Sequence, residues 1–586
     1  MSILCVRLSA SNFSFSFDNT KSTEFYLEKY LLNFSKESIQ KIMLTFLRTE
    51  FFSQFDRTGN KLIHHNNYLL HSIAGGKIFS VPPMKQPFCP TIFTIEDARL
   101  ILSFTYTCKK NFGTNTLKLT DLFELLIILH EKIESKYKID TTNEITTMKG
   151  VISSSLKSFG TIENSKFNIP EFNKNIKLLK EILNQPEGKE CNQLFAQEYG
   201  FDIKFYIGIA YTIFSVLYCD NSSIFNIDKF FSIITINSPE QKIKQSFEKF
   251  INSLINNNVE EFSNELYDTS YLWFHNFEKL DDNSLLIKDL GIYTSYFINN
   301  LFITFESPFL NSDEKKKNNT NLNLRSNVLG TAFEHQVKNE LIKISRINFL
   351  QNIYTGKYEN DEISDLVFNI GDTLFLGECK AGFLSVRETI TQSGDKILEK
   401  ILKKFGGKFE SEDAYKKLKK EERKGILQII HNYSIINSEF KNSFKNIQHN
   451  DQKIFQKIKN VYGIVFVQEN HLSVFALNRL LYLYNNEYVE LFKNTNFHPP
   501  IFINIIDIYK IINSGKNSGN QINFKDAIVS YIENLKNGYV DSFNSFLINA
   551  YNYPQEADDE EHKKIVKELL NEVYFGSGLP MPNIII

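Results

Sequence analysis

The sequence predicts two parts: a mainly α-helical N-terminal region, then an α/β domain built around a central sheet. Three observations carry this. From about residue 326 onward, short apolar runs bounded by turn residues alternate with longer segments of helical character. Upstream, apolar residues recur at helical spacing, as in Leu122, Leu125, Leu126, Leu129 and Ile133. Between the two regions, NSDEKKKNNTNLNLRSN (311–327) is polar, charged and nearly devoid of large apolar side chains.

Composition sets the outer bounds. At 586 residues the chain exceeds what one core usually supports, and 42% hydrophobic residues with 53 Phe and 27 Tyr suffice for sizeable cores. A net charge of −2 excludes a wholesale basic protein, so a nucleic-acid partner would need a local basic surface. The six cysteines (Cys5, Cys89, Cys108, Cys191, Cys219, Cys379) form no CxxC pair, which argues against a disulfide framework or a structural zinc site. The N-terminus shows no basic segment followed by a long apolar one. The longest apolar stretch, Phe205 to Tyr218, is too short to span a bilayer and reads as a buried helix. These features predict a cytoplasmic protein without membrane association.

In the N-terminal region (1–310), Ser238-Pro239-Glu240 has the form of a helix start, and short strands are expected at FSFSF and around Phe231 to Ile236. No internal repeat, GxxxxGK loop or dinucleotide fingerprint occurs, and the role of this region stays open as sensor, scaffold or regulatory domain. A linker at 311–325 leads to the α/β domain, 326–510. There a helix (VLGTAFEHQVKNELIKI) precedes a hairpin (SDLVFNI-GD-TLFLGECKAG) and a long basic helical region, about 387–446. An apolar strand (461–468), a further helix and a strand at 500–507 complete it. Residues 511–586 are expected to be a helical extension packed on this domain.

The chemistry concentrates at the end of TLFLGECK. Asp365 is separated from Glu378 by 12 residues, and Lys380 follows two residues later. The bare pattern recurs at Asp121/Glu134/Lys136, Asp228/Glu240/Lys242 and Asp541/Glu561/Lys563. Those three end on helical segments, where residues two apart point to different faces. Glu378 and Lys380 instead fall on a strand, whose period of two puts both on one face and turns Cys379 to the other. The Gly371-Asp372 turn brings Asp365 beside Glu378. Charges at a strand end are costly to bury unless they offset one another or hold a metal.

On these residues, together with the helix motif Gly330-Thr331-Ala332-Phe333-Glu334 and Gln428 on a later helix, the segment 326–507 resembles the PD-(D/E)xK, or restriction-endonuclease-like, nuclease superfamily. Ser364 stands where the superfamily's name expects proline. The resemblance implies a mixed central sheet flanked by helices and Mg²⁺- or Mn²⁺-dependent cleavage of nucleic acid. It implies metal ligation by Asp365, Glu378 and the Cys379 backbone carbonyl. Glu334 would bind a second metal or hold a metal-bound water, and Lys380 would orient water or stabilise charge on the phosphate. Gln428 would be a further catalytic residue, at the family's later polar helix position.

The reading that follows is a DNA endonuclease of a restriction or anti-phage type, with DNA favoured over RNA by family habit. A repair or structure-specific nuclease, an RNase, or an inactive nucleic-acid-binding scaffold are the alternatives. Between Lys396 and Lys424, 11 Lys and Arg face six Asp and Glu, an excess suited to phosphate contacts or to a solvated helix face. A homo-oligomer or a partner protein engaging the N-terminal region is left open.

Overall fold

The computed structural model describes residues 23–53, 95–118, 121, 125, 143–161, 169–200, 202–220, 222–228, 271–272, 275–281, 283–294, 328–350, 364–381, 393–403, 425–441, 449–490, 496–517, 522–551 and 557–576. The linker 311–325, the FSFSF segment, Phe231–Ile236, Ser238–Glu240 and most of the basic stretch after Lys403 lie outside these residues.

Helices predominate, with a small sheet in the N-terminal half and a larger mixed one in the C-terminal half. The small sheet is antiparallel, formed by β1 (Ile224–Asn226), β2 (Phe277–Lys279) and β3 (Ser284–Ile287) in the order β1-β3-β2. The larger sheet contains β4 (Asn348–Phe349), β5 (Leu366–Ile370), β6 (Thr373–Lys380), β7 (Asn460–Val467) and β8 (Asn496–Asn504), in sequential order. β4, β5 and β6 pair antiparallel, whereas β6, β7 and β8 run parallel. The hairpin of β5 and β6 turns at Gly371, whose φ of +63° is readily adopted only without a side chain.

Apolar residues on both faces of the strands explain why this sheet is covered twice. Phe368, Phe375, Ile464, Phe466, Ile501 and Ile503 enter one core, while Val367, Leu374, Leu376, Val461, Val465 and Phe502 enter the other. Helices Thr331–Leu341, Ile505–Asn517 and Phe524–Lys536 pack on the first face, and helices Gly394–Ile401 and Ile426–Lys441 on the second. Both cores also take residues from before the expected linker. Phe172, Ile176, Ile207 and Tyr211 join the first, and Met148, Ile152 and Leu156 the second.

Two boundaries differ from the sequence reading. The last strand, expected at 500–507, starts at Asn496 and stops at Asn504, because Ile505 opens a helix. That helix, Ile505–Asn517, runs across the expected 510/511 boundary. The strand includes Pro499 and Pro500, which cannot donate ladder hydrogen bonds and are tolerated at a sheet edge. The register with β7 shifts between Tyr462 and Ile464, so two prolines oppose the single Gly463 in a bulge.

The apolar stretch expected to be too short to span a bilayer lies in a longer helix, Ile203–Asp220, which among the described residues is the one with the length and apolarity to cross a membrane. It is 67% buried inside the protein, and its Ile207, Ala210 and Tyr211 pack in the first core.

Candidate active site

The site forms where β5 begins and β6 ends. Leu366 pairs with Gly377, which sets Asp365 opposite Glu378 one step further along the antiparallel ladder. Asp365 Oδ2 accepts a 2.6 Å hydrogen bond from the Cys379 amide, fixing that carboxylate against the strand. Period-two alternation places Glu378 on the face that carries Leu374 and Leu376, and the Cys379 side chain on the face that carries Phe375.

Lys380 joins the two acids. Its ammonium lies 3.0 Å from Glu378 Oε2 and 3.7 Å from Asp365 Oδ2. Those two oxygens therefore cannot be further apart than the two distances laid end to end. Glu378 Oε1 is held from the other side by the Ser364 hydroxyl at 3.1 Å and by Asn432 Nδ2 at 3.4 Å. The Ser364 hydroxyl also lies 2.9 Å from the Gly377 carbonyl, so its single proton is shared between two acceptors. A proline at position 364 could supply neither contact.

Glu378 is fully buried. Burial pushes its carboxyl up to about 8, and the neighbouring Lys380 ammonium offsets only part of that. Burial alone would pull Lys380 down, but the Glu378 and Asp365 carboxylates beside it raise it above the ordinary lysine value. With both carboxylates ionised, one ammonium leaves a net negative charge, an arrangement suited to a cation.

The sequence-predicted residues separate into groups. Asp365, Glu378 and Lys380 converge. Glu334 is half-buried on the helix Thr331–Leu341, whose Phe333, Val337 and Leu341 are fully buried against the Cys379 face of the sheet. It lies near enough to contribute to raising the Cys379 thiol, whose shift is dominated by burial. Gln428 is half-buried on the helix Ile426–Lys441, and among the described residues no hydrogen bond links it to Asp365, Glu378 or Lys380. The polar contact from that helix comes from Asn432, one turn later on the same stripe. Asn432 escaped the sequence reading, whose only signal was a second polar residue four positions after Gln428 within an apolar helix.

The residues fit a hard divalent cation. Asp365, Glu378 and the Cys379 carbonyl are oxygen donors, and Mg²⁺ commonly uses one or two carboxylates with water and substrate phosphate completing its shell. Among the described residues no group of three or more His, Cys, Asp and Glu forms a metal cluster, so the side-chain ligands would be the two carboxylates. Of the decoy triads, Glu134, Lys136, Glu240 and Lys242 lie outside the described residues. Asp121 accepts the Lys118 amide in a local turn, and Glu561 and Lys563 lie on the helix Ala557–Gly576, where Glu561 pairs with Lys177.

No family model matches the chain, and no curated protein or solved structure matches it.

Proposed function

We propose that this protein is a metal-dependent nuclease of the PD-(D/E)xK type that hydrolyses phosphodiester bonds, with DNA as its substrate. The observation carrying the proposal is the convergence of Asp365, Glu378 and Lys380 at the end of a hairpin in a mixed sheet. An inert scaffold gives no reason to keep Glu378 fully buried beside a second carboxylate and one lysine.

Asp365 and Glu378 would hold the metal, with the Cys379 carbonyl as a third oxygen donor. When bound, the metal supplies charge that polarises the scissile phosphate and acidifies water. The Cys379 amide keeps Asp365 oriented, while Ser364 and Asn432 grip Glu378 Oε1 and leave Oε2 toward Lys380. Ligation by Glu378 requires its carboxylate form, and a dication offsets the burial that otherwise favours the acid. The Lys380 ammonium stabilises the negative charge that develops on the phosphate during displacement, where preorganised charge is most effective. A restriction or anti-phage role is the biological setting most consistent with an extended region joined to such a nuclease.

Cleavage assays on duplex DNA, single-stranded DNA and RNA with Mg²⁺, Mn²⁺ or EDTA test the proposal. Metal-dependent DNA cleavage that is lost in Asp365→Ala, Glu378→Ala and Lys380→Ala is expected. The triple variant should be little worse than any single one, because residues acting as a unit are non-additive. Cleavage in EDTA, or full cleavage by Glu378→Ala, contradicts it.

A further inference from the structure

One helical turn from the N-terminal half reaches the C-terminal ends of the inner strands beside the candidate site. In the helix Ile169–Asn184, Glu171, Lys174 and Asn175 share a face at i, i+3 and i+4. Lys174 is fully buried, and its ammonium donates to the Gln468 carbonyl at 2.5 Å while pairing with Glu171 Oε1 at 2.6 Å. Asn175 Oδ1 accepts from the Gln468 side chain at 2.9 Å. Glu171 Oε2 accepts from Asn470 at 2.6 Å, and Asn470 in turn accepts from Asn504 at the end of β8 at 2.9 Å.

Gln468 is the residue that follows β7, and its amide donates to the Lys380 carbonyl at 3.2 Å. The peptide units flanking Gln468 are thus held on one side by Lys380 and on the other by Lys174. Gln336, two residues after Glu334, donates to the Lys174 carbonyl at 3.0 Å and ties the same turn to the Glu334 helix. Desolvating a lysine and a glutamate to make these contacts costs free energy that an apolar pair of similar volume would not. The polar contacts instead specify where the strand ends lie.

From this network we infer that Lys174 is a positioning residue for the candidate site: with Glu171 and Asn175 it clamps segment 468–470 and thereby fixes Lys380. The inference rests on the nuclease reading for its functional consequence, and it makes that activity conditional on docking of the helix Ile169–Asn184. A ligand or partner that displaced this helix would release the end of β6.

The test uses the full chain with Glu171→Gln and Lys174→Met together, so that no buried charge is left unpaired. Hydrogen exchange is followed by peptide, alongside thermal melting and single-turnover cleavage. Exchange should rise about tenfold in peptides covering 376–382 and 464–472 and stay unchanged in the helix Phe524–Lys536, with melting nearly preserved. The cleavage rate at saturating DNA should fall at least about tenfold while KM changes little, because the lysine is misplaced and not removed. Unchanged exchange at both strand ends overturns the inference, as does loosening spread evenly through the sheet. Wild-type cleavage rates in a variant with loosened strand ends also overturn it. If the wild type cleaves no substrate, the nuclease reading fails, and the exchange pattern alone decides whether the clamp exists.

Discussion

Exchanging Glu378 for glutamine should remove from the metal-free protein one contribution to stability, a fall between about pH 5 and pH 8. The Glu378 carboxyl is fully buried and raised from 4.5 to about 8, with burial the leading cause. Between those two values the folded state keeps the proton that the unfolded state has released. The Glu378 contribution to stability therefore falls as pH rises through this window and flattens once the folded carboxyl has also ionised. His275, His498 and His562, held down by burial, act in the opposite direction below about pH 6.5 in both proteins and cancel in the difference. At about 1.4 kcal/mol per pKa unit, the full loss is on the order of 5 kcal/mol. Glutamine keeps the shape and the contacts to Ser364 and Lys380 without the titrating proton. Asp507, raised by burial to about 6, acts in the same direction at lower pH in both proteins and cancels in the difference. The assay is urea unfolding in EDTA at a series of pH values, comparing wild type with Glu378→Gln. The difference in stability should shift against the wild type by up to about 1.4 kcal/mol per pH unit until about pH 8. Parallel curves would mean that Glu378 titrates alike in the folded and unfolded chain and that its burial does not raise it.

Three further outcomes are expected. Asn432→Ala should slow cleavage about tenfold and cost about 1 kcal/mol in urea unfolding by leaving Ser364 as the remaining donor to Glu378 Oε1, whereas Gln428→Ala should change neither. Gly463→Ala should destabilise the sheet by about 1–3 kcal/mol in urea unfolding, because an added Cβ would lie 2.6 Å from Ile429 Cγ2 and 2.8 Å from Pro500 Cγ. Cys379→Ala should retain wild-type cleavage rates, since the buried thiol lies on the sheet face opposite Glu378 and only packs there. A loss comparable to that of Glu378→Ala would assign the thiol a role in the reaction.

The hairpin and its charged end were legible because strand alternation is a local property. TLFLGECK is apolar enough to be a strand, period two puts Glu378 and Lys380 together, and Gly-Asp closes the turn. The Glu334 helix was equally readable from Phe333, Val337 and Leu341, whose spacing gave its buried face. Which turn of the later helix meets Glu378 was not readable. Gln428 and Asn432 occupy one stripe, and the height of that helix over the sheet decides between them. The end of β8 depends on Ile505 opening a helix, and the one local signal is Asn504, which interrupts the apolar run there and accepts a hydrogen bond from the Ile506 amide. Lys174 sits in EFNKNIKLLK, where lysines read as a solvated face. Its burial arises from contact with Gln468, 294 residues away, and no window of sequence contains that distance. The same limit hides the sharing of both sheet cores by Phe172 and Met148: an apolar stripe announces that a helix packs, but not against what.

Calorimetric titration of Mn²⁺ into the metal-free protein near pH 7, repeated in buffers of different ionisation enthalpy, tests the central claim that Asp365 and Glu378 share a metal. Because the Glu378 carboxyl is raised to about 8, ligation must expel its proton. Saturable Mn²⁺ binding accompanied by release of about one proton is expected, with Asp365→Ala abolishing binding and Glu378→Gln abolishing the proton release. Absence of Mn²⁺ binding, or binding with the same affinity and proton count in both variants, would contradict it.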